Sequence, residues 1–149
     1  MTPMPGREVV VRLKTPSGDV RDIRGHVVTG DRQYTLELEI PNLGLHRTDG
    51  PDQFECLLRA RVELEPQGFR FLVNGARRNG WPSGMARDMG GGRQAYVLVL
   101  GQSGRAGLVD IFEPADENQT ALVQEQRDFF QAWLDDRRKS SEGGAATVR

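Results

Sequence analysis

The chain holds one cysteine, Cys56, two histidines, His26 and His46, and two lysines, Lys14 and Lys139, in 149 residues. A lone thiol forms no intrachain disulfide and offers no second sulfur for a zinc pair. That scarcity fits a reducing, cytoplasmic setting. The two histidines lack metal-ligand spacing, so no metal and no cofactor is expected. Aromatic residues make up 7% of the chain, too few for a stacking platform that holds single-stranded nucleic acid. No apolar run approaches the ~20 residues of a membrane helix. The opening Met1-Thr2-Pro3-Met4-Pro5-Gly6 shows no apolar core of a secretory leader. Net charge is −1, which excludes both a globally basic nucleic-acid binder and an acidic solvating tail.

What remains is a globular composition, 37% hydrophobic and 28% charged. The length predicts a single domain over residues 1–139, with the small-residue stretch 140–149 as a disordered tail. All basic residues except Lys14 and Lys139 are arginine. Arginine excess suits recognition of carboxylates or phosphates. The plainer reading is codon composition in a GC-rich genome, which the glycine and alanine usage fits.

Periodicity supplies the elements. Val9, Val11 and Leu13 alternate with Val10, Arg12 and Lys14, as in a strand. Thr15–Gly18 is a turn, and residues 20–28 read as a second strand with a bulge at Gly25. A hairpin turn at Thr29–Arg32 leads to the clearest strand, where Tyr34, Leu36, Leu38 and Ile40 share one side. Residues 41–50 read as a loop. Asp49-Gly50-Pro51-Asp52 then marks a helix start, and Phe54, Leu57, Leu58 and Val62, widened by Ala60 and Leu64, form its stripe. Pro66-Gln67-Gly68 ends it. Phe69, Phe71 and Val73 give a fourth strand, 95–100 a fifth and 108–112 a sixth. A long helix follows over 116–139, with the stripe Leu122, Val123, Phe129, Phe130, Trp133 and Leu134 and a capping box of Asp116 and Gln119. This βββα-βββα order predicts an α+β fold: one largely antiparallel six-stranded sheet with both helices packed on one face.

Between the fourth and fifth strands lies a connector, 74–93, with no clear period. Connections beyond ~12–15 residues are uncommon inside compact domains and are often functional. This one contains Trp81, Met85 and Met89, which are costly to leave in water. Met85 and Met89 are four apart, so 83–89 is expected to make a helical turn with Ser83 at its start. Charge concentrates here too. The connector carries +3, against −1 before it and −3 after it. Arg77, Arg78, Arg87 and Arg93 are therefore candidates for an anion-attracting patch. The plainer alternative is that Trp81 and the methionines cap the core while the arginines are solvated.

Catalytic readings find little support. Gly90-Gly91-Gly92 is followed by no Gly-Lys-Ser/Thr and lacks the strand–glycine–helix context of a dinucleotide site. Ser83 lies in Pro-Ser-Gly, not in a hydrolase elbow. Cys56, inside the first helix, reads as a buried structural thiol. His26 reads as a surface or packing residue, and Glu37, Glu39, Glu63 and Glu65 read as solvent-facing positions.

The runs Asn74-Gly75-Ala76-Arg77-Arg78, Trp81-Pro82-Ser83-Gly84-Met85, Met89-Gly90-Gly91-Gly92 and Leu108-Val109-Asp110-Ile111-Phe112 resemble a pattern in small bacterial proteins of the immunity type, encoded beside secreted polymorphic toxins that include type VI effectors. The resemblance covers residues 69–114. It implies a cytoplasmic, non-enzymatic protein that binds and blocks a cognate toxin. The residues alone lead to a compatible expectation of a binding module whose contacts are Arg77, Arg78, Trp81, Ser83, Met85, Arg87, Met89 and Arg93. Two alternatives stay open. One is a small-ligand (anion or nucleotide) binding protein, or an enzyme, that uses the Arg-rich connector 74–93. The other is a homo-oligomeric module. Membrane and nucleic-acid partners are not expected.

Overall fold

The computed structural model of the chain describes residues 6–101 and 105–147, the side chains of Arg105 and of 140–147 excepted. The fold is α+β. Strands β1 (Gly6–Lys14), β2 (Val20–Thr29) and β3 (Tyr34–Ile40) form the meander that the alternation predicts. Gly25 makes no bulge, because the β1–β2 register runs unbroken from Gly6↔Val28 to Lys14↔Val20. Glycine is needed there for space. A Cβ would lie 2.8 Å from Leu38 Cδ2 and 2.9 Å from Val9 Cγ2.

The expected loop at 41–50 is in fact a strand, β4 (Gly44–Gly50), paired antiparallel to β3 along its whole length. The turn into it uses positive φ at Asn42 (68°) and Gly44 (83°). Its alternation is hidden because the inward positions are Thr48 and Gly50, while Leu45 points outward and is 64% exposed. Helix α1 (Gln53–Leu64) starts as predicted, with Asp52 accepting from Glu55 N at 2.8 Å. A short 3-10 turn, Glu65–Gln67, ends at Gly68 (φ 99°). Strand β5 (Arg70–Phe71) then joins β1, giving the sheet order β4-β3-β2-β1-β5.

The rest does not extend that sheet. Strands β6 (Gly80–Trp81), β7 (Gln94–Leu98) and β8 (Arg105–Asp110) form a second antiparallel sheet in that order. Among the described residues there are thus eight strands in two sheets, not six in one. A third helix, α2 (Gly84–Gly90), sits inside the connector. The physical cause is local. β5 pairs for two residues, and a 3-10 turn at Asn74–Ala76 then carries the chain away.

The capping box of Asp116 and Gln119 forms, with Asp116 N donating to Gln119 Oε1 at 3.2 Å, but it caps a 3-10 turn at Glu117–Gln119. The long helix α3 begins later, at Val123, whose N–H is taken by Glu65 Oε1 at 3.0 Å. Its backbone continues to Thr147, inside the stretch expected as a tail, whose side chains lie outside the described residues. One buried cluster includes Val11, Leu36 and Phe71 of the large sheet, Phe54 and Leu57 of α1, Ala95 of the small sheet, Ile111 and Val123.

Candidate functional site

A buried charge holds the start of the connector at Gly75. Arg61, on α1, is fully buried. Its Nε donates to Glu65 Oε2 at 2.9 Å, and its other nitrogens donate to the carbonyls of Gly75 (3.3 Å) and Ala121 (2.7 Å) and to Gln126 Oε1. Gln126, on α3 and equally buried, donates to Gly75 O at 3.0 Å and Gly80 O at 2.7 Å. Residues 75–80 are thereby clamped between two helices. Burial lowers the Arg61 pKa, while the Glu65 carboxylate opposes that shift. Glu65, expected to face water, has only 6% of its side chain exposed. Val62, expected in the α1 stripe, is 47% exposed, and Arg61 takes the inward place.

Next comes Trp81. Its ring meets Phe54 edge-on, centroids 5.1 Å apart, and stacks on Phe130 of α3 at 4.7 Å and 11°. Ser83 follows as the N-cap of α2, accepting from Ala86 N at 3.0 Å, as the sequence predicts. α2 ends at Gly91 (φ 65°), whose carbonyl accepts from Gln53 N at 2.8 Å. A Cβ on Gly92 (φ 70°) would lie 2.6 Å from Asp52 Oδ1. The glycine run therefore presses α2 onto the start of α1. Arg87 fixes the contact from the side. It pairs with Asp52 Oδ2 at 3.2 Å and lies 5.1 Å from the Phe54 centroid.

The sequence-predicted residues fall into two groups. Each arginine has its own partner within the chain: Arg77 with Gln119 Oε1 (3.3 Å), Arg78 over the Phe129 ring (5.6 Å), Arg87 with Asp52, and Arg93 with Asp110 Oδ2 (3.0 Å). Met85 and Met89 are the opposite case, 71% and 83% exposed on the outer side of α2. Trp81 is half-buried and packed against the core.

Reactive groups are quenched or engaged. Cys56 is buried and donates to Tyr34 O at 3.3 Å, and burial pushes its pKa up to about 12. His46 Nε2 lies 2.6 Å from Glu63 Oε2, and His26 lies 3.9 Å from Glu37. Among the described residues no cluster of three or more His, Cys, Asp or Glu side chains is placed to hold a metal ion, and no helix is long and apolar enough to cross a membrane. Compared with family models and with curated proteins, the chain matches none.

Sequence reasoning missed Arg61, Glu65 and Gln126. A signal was there. Arg61 continues the spacing of Phe54, Leu57 and Leu58, and Gln126 lies three residues after Val123 and four before Phe130. Both occupy apolar-stripe positions with polar side chains.

Proposed function

We propose that the chain is a partner-binding protein, and that it works in the cytoplasm as an immunity protein that occludes a cognate bacterial toxin without chemistry of its own. One observation carries the reading: two large apolar side chains, Met85 and Met89, stand in water on a helix held by a cap, an ion pair and a glycine contact. Leaving them exposed works against stability. Holding the helix that bears them favours binding, because little ordering remains to be done when a partner arrives. Methionine suits the role, since its unbranched thioether adapts to irregular surfaces. Two of the four connector arginines, Arg87 and Arg93, are paired with carboxylates inside the chain, which favours a protein partner over a free anion at those positions.

The test is rescue of growth when the chain is co-expressed with the protein encoded by its neighbouring gene, together with co-purification. The wild type is expected to rescue and to form a complex. Met85→Glu with Met89→Glu should fold normally and lose both. Rescue that survives the double substitution removes α2 from the interface. Absence of both rescue and complex with the wild type ends the immunity reading.

A further inference from the structure

Two side chains that the sequence pattern assigns to the core stand outside it, and they meet in one place. Val62 turns outward because Arg61 takes the inward position on α1. Leu122 precedes Val123, the first residue of α3, and so misses the apolar stripe that its spacing predicts it to join. The two are 47% and 40% exposed. Single exposed apolar residues are ordinary on a protein surface. These two line the same hollow, of about 370 Å³, between the end of α1 and the start of α3, and Pro66 and Val123 complete its apolar wall. That volume is at the small end of the range for ligand sites.

Charge at the hollow is unbalanced. The charged residues that line it are Arg61, Glu65 and Arg127. Arg61 and Glu65 satisfy each other at 2.9 Å, and the second Glu65 oxygen takes the Val123 N–H. Arg127 is left over. It is exposed, and its side chain makes no hydrogen bond, ion pair or ring contact with any described residue. Arg70 and Arg127 both act on Arg61 as like charges, which lowers its pKa beyond what burial does. The acids on either side are engaged elsewhere. Glu63 faces His46 at 2.6 Å, Glu125 caps the Leu122 N–H at 2.9 Å, and Asp128 accepts from Gln124 at 2.8 Å. An apolar wall beside a cation that no carboxylate contacts suits a molecule with an apolar body and one negative group.

We propose that this hollow binds a small organic carboxylate, with its apolar body against Val62, Pro66 and Leu122 and its carboxylate on the Arg127 guanidinium. The guanidinium grips a carboxylate through two parallel hydrogen bonds. An inorganic anion is a poorer occupant, because it leaves the apolar wall in water. The site is separate from the partner surface. α2 presses on the start of α1, and the hollow lies at the other end of that twelve-residue helix. The inference therefore goes beyond the partner-binding reading and does not rest on it.

The test is a titration of the full chain with phenylacetate, followed by amide NMR. The amides of Val62, Glu65 and Val123 are expected to shift and saturate. Phenylacetamide, the neutral isostere, is expected to bind about tenfold more weakly. Arg127→Gln should bring phenylacetate down to the level of the amide and leave the amide as it was. Leu122→Glu should weaken both. Circular dichroism checks the fold of each variant. Met85→Glu with Met89→Glu should leave both affinities unchanged. The proposal falls if phenylacetate gives no saturable shift here at millimolar concentration, or if Arg127→Gln keeps the preference for the charged form. It falls too if acetate binds as tightly as phenylacetate, since the apolar wall then takes no part. Binding of a blocked phenylalanyl-aspartate peptide without binding of phenylacetate also overturns it, since a protein segment then fills the hollow.

Discussion

Arg61 places a positive charge where water does not reach, and the surrounding chain answers with a carboxylate, two carbonyls and an amide oxygen. A buried pair of this kind is weak evidence of added stability, but removing one member is costly because the other stays charged and dry. Arg61→Ala is expected to lower unfolding free energy by about 3–5 kcal/mol, read from urea denaturation. Arg61→Met combined with Glu65→Gln should recover part of that loss. Cys56 gives a second expectation. Its folded pKa of about 12 lies above the ordinary 9.0, so between those values the folded thiol keeps a proton that the unfolded thiol has lost. Stability from this group is therefore complete below pH 9 and falls as pH rises towards 12, at up to about 1.4 kcal/mol per pH unit. Cys56→Ser should remove that slope relative to wild type in alkaline urea titrations. The native thiol should also resist alkylation at neutral pH.

Among the elements, α2 tests how far short helices depend on their ends. It has seven residues, too few to persist alone. Ser83→Ala should cost about 1 kcal/mol and speed amide exchange in α2 while sparing β1–β3. Gly92→Ala should do more harm, since it combines positive φ with a clash on Asp52. α2 was legible in the sequence because caps are local chemistry: Ser83 and Gly91 bracket it, and Met85 and Met89 mark one face. The start of α1 was legible for the same reason. β4 was not, because an edge strand with Thr48 and Gly50 facing inward shows no apolar alternation. The capping box misled by position. Asp116 and Gln119 pair as expected, yet Thr120 turns extended and the box closes a 3-10 turn.

At the scale of the whole molecule, the α+β class followed from strand and helix periods, but the division into two sheets did not. Periodicity says that Phe71 or Tyr96 belongs to a strand and is silent on which strand lies beside it. The candidate surface was half legible. Exposed methionines on a short helix could be read, while the clamp of Arg61 and Gln126 that steadies the connector rests on contacts 65 residues apart. Both tryptophans of the chain, Trp81 and Trp133, flank Phe130 in a single stack joining the small sheet to α3. Intrinsic emission is thus an optical gauge of one event, the seating of that helix. Phe130→Ala should shift the spectrum to longer wavelength with little change in far-ultraviolet dichroism. During a thermal ramp, colour should report helix release even where overall secondary structure persists.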